Sequence, residues 1–237
     1  MHKVKYFLNR NLAKLKGLFD YLSLLFLTKG KYYGSDISIQ GVDQLGSPDP
    51  TKIEKPYGQI YDKESAKRFG TSNLEEYSYW AWRACGVANA ATILLSKGLY
   101  DGTLFSLVED LVARGGYVDI DRRGNKDVGW RHAALCELLI RYGIPAKVKP
   151  FLPLYSLLKV IANSGMVIAS VKSKLVDSGG HMVLITGMAW QGKDTILEIF
   201  NPYNLDSLGG KQRVKLSEFA ADFRNRGIIV WPNIKTD

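Results

Sequence analysis

Histidine and cysteine are scarce in this sequence, three of the former and two of the latter in 237 residues. The cysteines, Cys85 and Cys136, form no CxxC pair, which removes zinc ribbons and thioredoxin-type redox sites. There is no HExxH, no phosphate-cradling loop and no dinucleotide glycine pattern, so neither a metal nor an organic cofactor is expected. Internal repeats, a collagen-like glycine period and an apolar run long enough to cross a bilayer are also missing. With so little cysteine, a reducing, cytoplasmic compartment is the default, secretion being left open.

What is present suits a globular protein. The chain is 46% hydrophobic and 11% aromatic, too apolar for disorder, and its length fits one large domain or two lobes sharing a site. The net charge of +9 is unevenly spread: residues 1–31 hold seven basic residues and one acid, Asp20, so the arm carries +6 and the rest only +3. Basicity therefore belongs to an N-terminal arm, which argues against a nucleic-acid partner for the body.

In that arm Phe7, Leu8, Leu12, Leu15, Leu18, Phe19, Leu22, Leu25 and Phe26 recur in steps of three and four, the mark of one helix face. Asp20 interrupts the apolar run and no small-residue cleavage site follows, unlike a secretory signal. Two readings are open. The helix packs on the body or on a second copy, through residues 6–27, or it lies on an anionic membrane surface. Residues 32–74 read as an extended connector with short ordered pieces, rich in Gly, Ser, Asp, Pro and Lys as far as about Phe69.

The body changes texture along its length. Helices are expected at Ala84–Lys97, Asp101–Arg114, Asp127–Tyr142 and Leu154–Asn163, with Gly98 and Gly143 as stops. Strands are expected at Met166–Val171, His181–Met188, Thr195–Phe200 and Gly227–Trp231, with a short helix from Ser217, its N-cap, to Phe223. Helices first and strands later make an α+β domain over residues 75–233, with a helical lobe at 75–163, a sheet lobe at 164–233 and a cleft between them.

Three residues suggest chemistry at that cleft. Cys85 opens the first core helix, where the positive end of the helix dipole favours thiolate, and Gly86 leaves room for an approaching carbonyl. The plain alternative is a small core residue. His181 follows Ser178-Gly179-Gly180 at the mouth of an apolar strand. Asn201, before Pro202, ends the next strand, and one hairpin brings a strand's end beside the start of its neighbour. A thiol, a base and a group that orients the base are what a cysteine nucleophile needs.

The segments Trp82–Ala90, Gly179–Gly187 and Phe200-Asn201-Pro202 together resemble the papain-like, bacteriocin-processing peptidases that cut double-glycine leaders, and their free-standing relatives. The likeness spans about Glu75 to Trp231 by pattern and is dense only in those segments. It implies a papain-like fold, a helical lobe followed by an antiparallel sheet lobe with the site between. It also implies peptide-bond hydrolysis through a thioester, with Cys85 as nucleophile, His181 as general base and acid, Asn201 as orienter, and a peptide or protein as substrate. The family more often has aspartate at the third position. Asparagine orients an imidazole but does not balance its charge.

One departure bears on activity. The family usually has a glutamine six residues before the cysteine, donating to the oxyanion; here that residue is Tyr79, and no glutamine lies between Gln59 and Cys85. The Cys85 N–H remains, and the Tyr79 hydroxyl or the indole N–H of Trp80 or Trp82 are candidates for a second donor. Loss of one such donor costs about 3 kcal/mol in the barrier. The alternative is therefore a weak or inactive papain-like module that binds a peptide. Gly86, His132 and Gly180 are further candidates to line the substrate cleft, while Cys136 is expected in the core. Tyr77, Tyr79, Trp80 and Trp82 form either a subsite wall or a plug between the lobes.

Overall fold

A computed structural model describes residues 2–120, 124, 126–172, 180–203 and 210–232. In chain order the elements begin with α1 (His2–Leu24), β1 (Tyr32–Gly34), α2 (Lys63–Phe69), α3 (Leu74–Ala81), α4 (Cys85–Ser96) and α5 (Leu104–Ala113). A small hairpin follows, β2 (Tyr117–Ile120) and β3 (Lys126–Trp130), then α6 (His132–Arg141), β4 (Ala146–Lys149) and α7 (Leu154–Ala162). The last third holds β5 (Met166–Lys172), β6 (Gly180–Ala189), β7 (Ile196–Phe200), β8 (Lys211–Lys215), α8 (Leu216–Asp222) and β9 (Phe223–Val230). This is the α+β order expected, helices before an antiparallel sheet.

The sheet runs β4-β9-β5-β6-β7-β8, with β1 paired to the far half of β6. Every pairing is antiparallel. Side chains alternate between its faces with period two, and both faces are buried, which is why β5 and β6 read as unbroken apolar runs. Met166, Ile168, Met182, Leu184 and Phe200 join the core under α3–α6. Val167, Val183, Ile185, Leu197 and Ile229 join a second core under α7 and α8, which also takes Leu24 of α1.

Local chemistry explains most boundaries. Asp62, Asn73 and Thr103 cap α2, α3 and α5 with side-chain oxygens on first-turn N–H groups. In α4 every residue from Gly86 to Leu94 is buried, and its small side chains let it lie close to β6. Differences from the sequence expectation are also local. The helix expected from Asp127 starts at His132, because Lys126–Trp130 pairs with Tyr117–Ile120 and Gly129 takes φ +100°, outside helical geometry. Ser217 is not the cap of α8: Lys215 precedes that helix without a side-chain cap bond, and Leu216 turns into the second core. The last strand begins at Phe223 rather than Gly227. The helix expected to end at Lys97 ends at Ser96 and the strand expected to end at Trp231 ends at Val230, while Ser178 and Gly179 lie outside the described residues.

Residues 32–74 contain β1 and α2, and they also cross the helical lobe. The N–H groups of Gln40 and Val42 donate to Ser96 Oγ and Thr92 Oγ1 of α4 at 2.8 and 3.0 Å. Gly41 lies on the Phe200 ring, where a methyl group would sit 2.0 Å from Cε2.

The arm departs most from expectation. α1 does pack on the body, against α7, but not through its apolar face. From Tyr6 onward its buried residues are Gly17, Asp20 and Leu24, and Gly17 rests on Pro153, 2.7 Å from where a methyl would point. Asp20 takes a hydrogen bond from Ser156 Oγ at 2.6 Å and ion pairs from Lys16 and Lys159 at 2.6 and 3.2 Å. Leu8, Leu12, Leu15, Phe19, Leu22 and Phe26 all face outward.

Candidate active site

Cys85 is the first residue of α4 and is half-buried. Burial pushes its thiol up to about 11, against the pull of three backbone N–H groups aimed at the sulfur, those of Met182, Gly86 and Cys85 itself. The helix terminus alone was expected to favour thiolate; desolvation outweighs it, and the resting group is a thiol. The Met182 contact sets the sulfur against the peptide that joins His181 to Met182.

A buried side chain secures that contact. Asn89, one turn along α4, donates from Nδ2 to the carbonyls of Cys85 and Met182 at 2.9 and 2.8 Å. One amide thus ties the turn that carries Cys85 to the strand that carries His181. Its Oδ1 is buried with no hydrogen-bond partner among the described residues. Sequence reasoning passed over Asn89, although a lone carboxamide among the small and apolar residues of Cys85–Leu94 was the available signal.

At the same end of β6, His181 Nε2 lies 2.8 Å from Asn201 Oδ1. Asn201 Oδ1 also accepts the Tyr203 N–H at 3.1 Å, so this atom is an acceptor. Nε2 must therefore donate, which leaves the lone pair of the neutral ring on Nδ1. Burial holds the imidazole below its ordinary range, and the bond to Asn201 works the other way. Asn201 is itself held by its N–H on Gly210 at 2.9 Å. Gly180, before His181, is exposed with nothing near its Cα face, so the strand's mouth is open there.

Gln44 is a second residue missed in the sequence. It is buried; its N–H donates to Pro202 at 2.9 Å, and its Nε2 donates to Ala81 at 3.0 Å. It bridges the Asn201-Pro202 turn to the end of α3, ahead of Cys85. Its partners lie 37 and more residues away, so no local pattern announces it.

The remaining candidates sort by their partners. The Trp82 indole N–H is spent on Gly58 O at 2.8 Å, and the ring stacks between Tyr57 and Tyr203, so it is no oxyanion donor. Tyr79 is more than a third exposed and carries the Arg83 guanidinium 4.0 Å over its ring. Trp80 is wedged among Tyr79, Tyr117 and Trp130. Gly86 turns its missing side chain inward: a methyl there would meet Leu135 Cδ1 at 2.8 Å and Met182 Sδ at 3.2 Å. Its smallness serves helix packing rather than room for a carbonyl. His132 bonds to Ser170 Oγ at 2.8 Å, and burial followed by the Arg226 charge brings it down to about 4. It lines a cavity of about 670 Å³ beneath α1, with Lys149 and Arg226, that none of Cys85, His181 and Asn201 reaches. Cys136 is buried in the first core.

Among the described residues no group of three or more His, Cys, Asp and Glu side chains is arranged to hold a metal ion. No family model matches the sequence, and no curated protein matches it. Solved structures do. A double-glycine-motif protease from an AMS/PCAT transporter, in complex with its leader peptide, is 19% identical, with 62% of this chain and 82% of that one covered and a TM-score of 0.40. The peptidase domain of Streptococcus ComA, a bifunctional ABC transporter of a quorum-sensing pathway, is 17% identical, covering 64% and 93%, TM-score 0.43. A C39-like peptidase from Bacillus anthracis is 15% identical, covering 63% and 88%, TM-score 0.40.

Proposed function

We propose that this chain is a papain-like cysteine peptidase in which Cys85 attacks a peptide carbonyl, His181 moves the protons and Asn201 orients His181. One observation carries the reading. The Asn201 bond leaves the His181 lone pair on Nδ1, and Asn89 ties Cys85 to Met182, the residue after His181.

The resting pair is neutral. As the sulfur bonds to the carbonyl carbon, His181 Nδ1 takes the thiol proton. The N–H groups of Cys85 and Gly86, which face the resting sulfur and have no acceptor in the helix, pass to the oxyanion as it forms beside that sulfur. The C–N bond breaks as the imidazolium protonates the leaving amine, and a thioester remains. Water then loses a proton to Nδ1 and attacks. The C–S bond breaks, and the proton returns to sulfur. Throughout, Asn201 Oδ1 accepts from Nε2–H. Being neutral, it leaves the imidazolium charge unbalanced, which makes the step slower than a carboxylate would.

A burial-lowered imidazole is the free base at neutral pH, so kcat/KM should fall only on the acid side of the ordinary histidine value, about 6.5. The substrate class is a peptide or protein, and the sequence resemblance makes a double-glycine leader the first to try. A binding module is the second reading. It is favoured by the high thiol value and by the committed Trp82 N–H.

Iodoacetamide labelling of the full chain, mapped by mass, separates the two. A peptidase alkylates Cys85 selectively near neutral pH, at least about tenfold more slowly in His181→Ala, because the imidazole takes the thiol proton as the sulfur attacks. It also loses leader cleavage by about a thousandfold or more in Cys85→Ala. Labelling no faster than a free thiol, and indifferent to His181, would make the site a binding cleft.

A further inference from the structure

We infer that α1 docks this protein onto an anionic lipid surface. The helix is mounted with its apolar side out. Phe7, Leu8, Leu12, Leu15, Leu18, Phe19, Leu22, Leu25 and Phe26 are each roughly half exposed or more, and Phe26 is 90% exposed. They form one continuous stripe from Phe7 to Phe26, along α1 and into the turn that follows it. A contiguous apolar surface of that length on a soluble face marks an interaction site.

The attachment beneath shows that this orientation is built in. Asp20, the single acid of residues 1–31, is turned to the body, where Ser156, Lys16 and Lys159 engage it. Gly17 allows the helix to lie directly on Pro153. Rotating the stripe inward would expel the carboxylate from its partners and drive the leucines against a proline.

Charge selects the occupant. At 100° per residue, Lys14 and Arg10 flank one side of the stripe, Lys16 on the other side being paired with Asp20, and Lys29 and Lys31 follow the helix. Basic stems beside an apolar stripe snorkel from a bilayer interface while their charges meet anionic headgroups. A second copy would set one basic margin against another, each arm carrying +6. The helix lies on the surface rather than spanning it, since among the described residues no helix is long and apolar enough to cross. Because α1 sits with α7 on the second face of the sheet and α4 on the first, docking leaves the nucleophile's helix on the aqueous side.

Vesicle flotation of the full chain tests this. Phosphatidylcholine vesicles with about one-third phosphatidylglycerol should carry the protein at least about tenfold better than phosphatidylcholine alone, and about 0.5 M salt should weaken the binding. A Leu15→Glu/Phe19→Glu variant, changed only at exposed positions, should keep its thermal unfolding and lose about tenfold or more of the partition. Equal partition of the variant, or none by the native chain, overturns the inference. A dimer in light scattering that the variant dissolves, with no vesicle binding by either, would assign the stripe to a second copy instead.

Discussion

α1 and α4 are both helices with apolar residues at helical spacing, yet they meet the body in opposite ways. α4 is buried from Gly86 to Leu94, and its one carboxamide in that stretch, Asn89, grips the strand beside it. α1 presents its leucines and phenylalanines to the outside and is held by a glycine, a carboxylate and one buried leucine, Leu24. The difference teaches that periodicity reports the existence of a face and not its occupant. What decides is the opposite face: small residues all round α4 permit burial, whereas α1 carries on its far side a matched set of contacts for the body.

The sharpest way to break the comparison is to remove the polar grip of α4. Asn89→Ala deprives the Cys85 and Met182 carbonyls of a donor in a closed interior and leaves a small cavity. It should lower stability by about 2–3 kcal/mol in urea unfolding. It should also slow Cys85 labelling, because the sulfur's contact with the His181–Met182 peptide loosens. A change below about 0.5 kcal/mol would mean that the orphaned Oδ1 cancels the two bonds, and that α4 is held by packing alone.

How far the sequence could be read follows the same division. Cys85, His181 and Asn201 stand beside chain-local marks, a helix start, a strand mouth after glycines and an Asn-Pro strand end. The strands β5 and β6 read clearly because both faces are apolar, and β7 by its apolar residues around Glu198. Short or polar strands did not: β8 is Lys211-Gln212-Arg213-Val214-Lys215, an edge strand whose pairing with β7 alone makes it a strand. β3 falls inside the helix expected from Asp127, since Val128 and Trp130 continue its apolar spacing and only the partner strand distinguishes them. Gln44 and Asn89 act on residues 37 and 93 positions away, so their roles follow from topology that no window of sequence holds.

A gentler probe loosens α1. Burial works to raise the Asp20 carboxyl, but the hydrogen bonds from Lys16, Ser156 and Lys159 outweigh it and hold it below the usual range. A carboxylate depressed in the folded state contributes stability above its unfolded value of about 4, lost as pH falls through the folded value. α1 should therefore become protease-sensitive in strong acid while the sheet stays protected. Asp20→Asn should reproduce that release at neutral pH. The cost is only about 1 kcal/mol, since Lys16 and Lys159 are 62% and 42% exposed and their attraction is screened. No change in arm cleavage would show that Gly17 and Leu24 suffice to hold the helix.

The smallest expected effect sharpens the comparison most. Phe19 is 68% exposed. If its ring touches only water in the isolated protein, Phe19→Ser leaves the stability within about 0.5 kcal/mol, because little apolar area returns to solvent on unfolding. A comparably large apolar side chain in α4, truncated in the same way, loses its full transfer energy and leaves a cavity, costing several times more. Equal losses at the two sites in thermal unfolding would mean that α1 hides its stripe in solution. A near-zero loss at Phe19 would show that this large ring owes nothing to folding, leaving its presence to be explained by whatever covers it afterwards.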